Sequence, residues 1–167
     1  MSQAAVVDAV RGRVWTLTMM APCEWILANR NSAHNRYTRS RLTRKWRQAV
    51  VDCCKTGELP NGDNRLELID VAAVARFRGR APVNDRENLR PTLKAVIDGL
   101  TPAKKIRREG QTIRVPGWGL IPDDNDKHLA PGTDIRIGDP LPKFVWEGHP
   151  GLLIVTITEL IPANALF

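Results

Sequence analysis

The sequence predicts an α+β domain in which a mixed or antiparallel sheet carries helices on one face, in the order β-α-β-α-β-β. Segments rich in β-branched and aromatic residues, with period two, predict the strands. Two segments of helical period lie between them. Glycine and proline punctuate the junctions. A length of 167 residues suits one domain with its own core, so residues 1 to 167 read as a single unit, with 1 to 12 as a flexible N-terminus. A hydrophobic share of 43% and a charged share of 26% exclude a disordered chain.

Taken in order, "RVWTLTMMAP" (13 to 22) is the first strand and ends at Pro22. "ILANRNSAHNRYTRSR" follows, rich in Asn, Ser and Arg, and begins as a loop. From 40 to 55 the period changes. Leu42, Trp46, Ala49, Val50 and Cys53 share one helical face, while Arg41, Arg44, Lys45 and Arg47 lie mostly on the others. Gly57 and Pro60 stop this helix, and Asn61-Gly62 makes a turn. Residues 65 to 80 read as a strand, or a strand with a bulge, with Arg76, Arg78 and Arg80 opposite Phe77. Pro91 in a first turn and Gly99 as a C-terminal stop bracket a second helix over 90 to 100. Its buried stripe is Leu93, Val96, Ile97 and Leu100. The basic stretch 101 to 117 is an extended hairpin or a mobile loop. "DIRIG" and "GLLIVTITEL" (151 to 160) supply the last two strands.

Lysine and arginine number 25 against 18 acids, a net charge of +7, and the isoelectric point is about 9.8. This balance favours polyanionic partners, nucleic acid first and an anionic membrane surface second. Cys23, Cys53 and Cys54 are too few to make a disulfide framework, and without a C-x-x-C they exclude a zinc ribbon, so a reducing compartment fits. No apolar run approaches the ~20 residues a spanning helix needs, and none at the start resembles a leader. The expectation is a soluble, cytoplasmic protein without membrane attachment. No glycine-rich phosphate loop is present, so no nucleotide cofactor is implied.

Two groups of residues carry possible chemistry. Between 30 and 47 stand Arg30, Arg36, Arg39, Arg41, Arg44, Lys45 and Arg47 with no acid among them, interleaved with Asn31, Asn35, Tyr37 and Thr38 and preceded by Asn29. A solvated helix face normally mixes both signs, so this run points to phosphate contacts. Lys104, Lys105, Arg107, Arg108 and Arg114 form a second basic run. The other group is acidic. In an extended segment Asp85 and Glu87 point the same way, with Asn88 beside them, and Asp123-Asp124 follows a short apolar segment. Carboxylate oxygens at such a meeting point suit a hard cation such as Mg²⁺. The same acids also read as turn and helix-terminus charges. Lys94 and Asp98, four apart, read as a surface ion pair or as a lysine held near those acids.

"NDRENLRPTLKAVIDGL", followed by "GLIPDDNDKHL", resembles the core of RusA-like Holliday junction resolvases, in particular those of actinobacterial phages. The shared pattern is Asp85, Glu87, Asn88-Leu89, Lys94, Asp98-Gly-Leu100 and Asp123-Asp124 in order. "ANRNSAHNRYTRSRLTRKWR" is similar to the family's Asn- and Arg-bearing loop and the helix after it. The likeness runs from about residue 14 to residue 160. Three features depart from the family: Glu at 87, three extra residues before Lys94, and a basic insertion at 101 to 116. The resemblance implies a homodimeric endodeoxyribonuclease that cuts four-way or other branched DNA in phage recombination, repair, replication or packaging. It implies Mg²⁺, with Mn²⁺ as a substitute, held by Asp85, Glu87 and Asp124 with Asp123 in support, and Lys94 near the scissile phosphate. Asn29, Arg30, Asn31, Arg36, Arg39, Arg41, Arg44 and Arg47, and the insert's Lys104, Lys105, Arg107 and Arg108, are then the expected DNA contacts. A non-catalytic basic DNA-binding protein and a nuclease for flaps or Y-forks remain the alternatives.

Overall fold

The computed structural model describes residues 9–28, 36–142 and 148–163. Alternation decides the sheet. In the strand Ile69–Phe77 (β2) every odd position, Ile69, Val71, Ala73, Ala75 and Phe77, is buried, and the even positions are not. The strand Ala9–Met20 (β1) and the strand Gly151–Pro162 (β6) place Leu17, Met19, Leu153, Val155 and Ile157 against the same core. A short strand, Asp134–Ile137 (β5), completes a four-stranded sheet in the order β1-β6-β2-β5. β6 runs antiparallel to β1 and to β2, whereas β5 is parallel to β2, so the sheet is mixed. The fold is α+β, as the sequence predicts.

The helices Arg36–Thr56 (α1) and Arg90–Leu100 (α2) pack against each other and supply much of the core. α1 buries Leu42, Trp46, Val50 and Cys54, one row at a spacing of four. Cys54 rather than Cys53 therefore takes the core position, and burial pushes its thiol up to about 12. Trp46 packs on Trp25, with ring centroids 5.1 Å apart, and Trp25 packs edge-on against Phe77. The helix starts at Arg36, four residues before the expected 40. Nothing between 36 and 40 breaks a helix, and the polar composition alone suggests a loop.

Residues 9–12, expected to be flexible, belong to β1, where Val10 pairs with Ile161 and Arg11 with Leu160. The register shifts between Arg11 and Val14, and this irregularity hides the strand's period. The basic stretch forms a two-stranded hairpin, Pro102–Arg108 (β3) and Gln111–Trp118 (β4), separate from the main sheet. Its two-residue turn has positive φ at both Glu109 (50°) and Gly110 (78°), the twist that a tight hairpin requires. The hairpin adds two strands to the expected order. Among the described residues no helix is long and apolar enough to cross a membrane.

Candidate nucleic-acid interface and acidic centre

The first half of α1 and the hairpin face each other across a groove of about 600 Å³. Arg36, Arg39, Arg41 and Arg44 line it from the helix, and Lys104 and Arg108 from β3. Asp98 is the one acid among the lining residues. Strand alternation explains the division of the hairpin's charges. Lys104, Ile106 and Arg108 share the groove face with Ile113 and Val115, whereas Lys105 and Arg107 are exposed outside it. Asn29, Arg30 and Asn31 lie outside the described residues. The backbone N–H of Ala28 donates to the carbonyl of Asn88 (2.9 Å), so the chain toward them leaves from beside the acidic turn.

Arg47 is buried rather than outward-facing. The sequence places it among the outward DNA contacts, but it is 3% exposed at the α1–α2 contact. Its Nε donates to the carbonyl of Pro116 (2.6 Å), and its Nη1 lies 3.8 Å from Asp98 Oδ2. Gly99 makes this possible: a Cβ there would stand 2.9 Å from Val50 Cβ and 3.1 Å from Arg47 O, so only glycine lets the helices come this close. Burial lowers the Arg47 guanidinium below its usual range, and Asp98 and Asp124 partly offset that. Its Nη2 is buried with no hydrogen-bond partner among the described residues. Arg47 thus places a desolvated positive charge beneath the groove.

The acids occupy two places. Asp85 caps the short 3₁₀ turn Arg86–Leu89, its Oδ1 accepting from Glu87 N (2.9 Å). Arg90 grips both oxygens of Glu87, at 2.7 and 3.1 Å, and this pair holds the Glu87 carboxyl below the usual carboxylate range. Arg86 Nη1 reaches Asp134 Oδ2 (2.7 Å) and ties the turn to β5.

The second place is the loop after β4. Leu120 and Ile121 are fully buried and both donate their N–H to the carbonyl of Leu100, which carries Asp123 and Asp124 out beside α2. Asp123 Oδ1 accepts from Asp124 N (2.9 Å), and its Oδ2 accepts from Asn125 Nδ2 (2.9 Å). Lys94 Nζ donates to Asp98 Oδ1 (2.7 Å) and to Asp124 Oδ2. The lysine thus makes both the helix-surface ion pair and the contact with a distant acid. Burial pulls its pKa down, but hydrogen bonds to Asp124 and Asp98 outweigh this and keep it above its ordinary value. The same hydrogen bond from Lys94 holds Asp124 low.

The structure brings together Lys94, Asp98, Asp123 and Asp124, and connects them through Asp98 to Arg47 and the groove. It does not bring Asp85, Glu87 and Asp124 into one cluster. Among the described residues no three His, Cys, Asp or Glu side chains are grouped to hold a metal. Their chemistry suits Mg²⁺. Their placement, with Glu87 on Arg90 and Asp124 on Lys94, does not assemble a site for it.

Sequence reasoning missed the part played by Asp98, which bridges Arg47 on one helix and Lys94 on the other. Its spacing from Lys94 was visible, but its closeness to Arg47 depends on Gly99. No protein-family model matches the chain, and no curated protein matches it.

Proposed function

We propose that the chain is an endodeoxyribonuclease for branched DNA, the four-way junction first, with the basic groove holding the DNA backbone and the cut made beside Lys94 and Asp124. The observation that carries this is the run of charges Arg47–Asp98–Lys94–Asp124, which joins a cationic groove to a paired-acid loop 30 residues away from Lys94 in sequence. A permanently charged ammonium there offers a donor to a phosphate oxygen, where negative charge grows during cleavage. The arginines of α1 offset the repulsion between DNA and the nearby acids. A carboxyl in the usual carboxylate range is already ionised at neutral pH, and Lys94 holds Asp124 below that range. The order of motifs shared with RusA-like resolvases supports the same reaction. A homodimer suits it, because two symmetric copies supply two cuts on one junction. Mg²⁺ and Mn²⁺ are the cations to test.

A non-catalytic DNA-binding protein is the second reading. The specific observation favouring it is that Glu87 and Asp124 are each paired with a neighbouring cation and, among the described residues, no three acids are grouped to hold a metal. A nicking assay on labelled four-way, Y-form and linear DNA, with and without Mg²⁺, separates the two. Asp124→Asn is expected to abolish nicking and to leave junction binding intact or tighter. Nicking by Asp124→Asn at the parent rate would remove this site assignment. Junction binding by the parent protein without any nicking would establish the second reading.

A further inference from the structure

We infer that the groove between α1 and the hairpin takes an unpaired single strand of DNA rather than a duplex, with a base stacked on Tyr37. This deepens the reading of that face as a DNA interface and rests on it. Size is the first observation. A groove of about 600 Å³ is of small-ligand dimensions.

Side-chain chemistry is the second. Tyr37, also at the groove, is 63% exposed, although the same helix buries Leu42, Trp46 and Val50. Arg108 lies over the ring, its Cζ 4.7 Å from the centroid, and joins the helix wall to the hairpin wall. Ile106, 38% exposed, adds an apolar surface on the hairpin side. Charge is the third. Arg41 and Arg44 on one wall and Lys104 on the other provide a cationic track, with Arg47 buried beneath it. A cationic groove carrying an exposed aromatic platform is how proteins hold unpaired strands: the backbone follows the charges, and any base can stack. Flaps and Y-forks present such strands, whereas the arms of a four-way junction are paired.

The test is fluorescence anisotropy of the full chain with labelled oligo-dT and with a labelled duplex of equal length, at several salt concentrations. The parent protein is expected to bind oligo-dT more tightly than duplex. Tyr37→Ala should weaken oligo-dT binding about tenfold and duplex binding little, while Tyr37→Phe keeps the parent affinity. Tyr37 is exposed, so the variants should fold, and circular dichroism checks this. Arg41→Ala with Arg44→Ala should reduce the oligo-dT salt slope by about 0.7 for each phosphate that is no longer neutralised. Equal affinity for duplex and oligo-dT, or an oligo-dT affinity indifferent to Tyr37→Ala, overturns the inference. Nicking and strand capture fail separately: loss of nicking in Asp124→Asn with Tyr37-dependent oligo-dT binding leaves the slot standing, and nicking with Tyr37-independent binding removes it.

Discussion

Thr92 is fully buried, and its hydroxyl both accepts from Ile26 N and donates to Ile26 O, each at 2.9 Å. One side chain therefore satisfies the backbone of the segment that leads from β1 toward the predicted basic loop. Thr92→Val keeps the shape and strands both buried groups, at a cost of about 1–3 kcal/mol for each. The expected result is a lower urea midpoint with an unchanged slope. The cysteines behave differently. Burial lifts Cys54 to about 12 and Cys23 to about 11, so both stay protonated well above the usual thiol range. A thiol raised on folding contributes stability that is intact below its unfolded pKa, 9.0, and is lost as pH climbs toward the folded value. At pH 8, iodoacetamide is expected to label Cys54 only after denaturant is added, as read by mass spectrometry. The sequence pointed to Cys53, because adjacent residues both satisfy a helical stripe in projection. Only the four-residue row through Trp46 and Val50 separates them.

Gly99 shows what element packing adds. As a residue near the end of a helical pattern it reads as a stop, but it lies within α2 and sets the distance to α1. Capping and close approach leave the same letter in a sequence. Gly99→Ala puts a methyl group within 2.9 Å of Val50 Cβ, in contact with rigid helix, and overpacking of this kind costs about 1–3 kcal/mol. Because Arg47 and Asp98 sit at this contact, thermal denaturation should show a lower Tm and DNA binding should weaken in the same variant. The hairpin was half legible. Prolines and basic residues marked 101 to 117 as a separate segment, but Glu109 occupies a turn position that Asn would advertise better, so hairpin and loop stayed open. The site divided in the same way. The link from Lys94 to Asp98 follows from helical spacing, whereas the contact with Asp124 requires Leu120 and Ile121 to be buried.

For the whole molecule, the sequence yielded the α+β class, both helices and each strand of the main sheet, because period two and period 3.6 are local signals. It did not yield the strand order or the parallel β2–β5 pair, which depend on contacts between distant segments. The sheet's outer edge offers one pH test. Arg13 Nε donates to Glu159 Oε2 at 2.8 Å across the β1–β6 pair, and this bond holds the Glu159 carboxyl below the usual range. A depressed carboxyl adds stability above its unfolded pKa, 4.5, and that stability fades as pH falls through the folded value. Glu159→Gln should therefore lower the denaturation midpoint at neutral pH, leave it nearly unchanged at pH values below the folded carboxyl's titration, and so flatten the acid side of the curve. The order of strands has its own consequence. Among the described residues β6 is the last strand in chain order, yet it lies between β1 and β2 and bonds to both. During synthesis the earlier strands and both helices precede residues 151–162, so a chain truncated before that segment is expected to expose apolar surface and to bind chaperones in a pull-down, whereas the full chain does not.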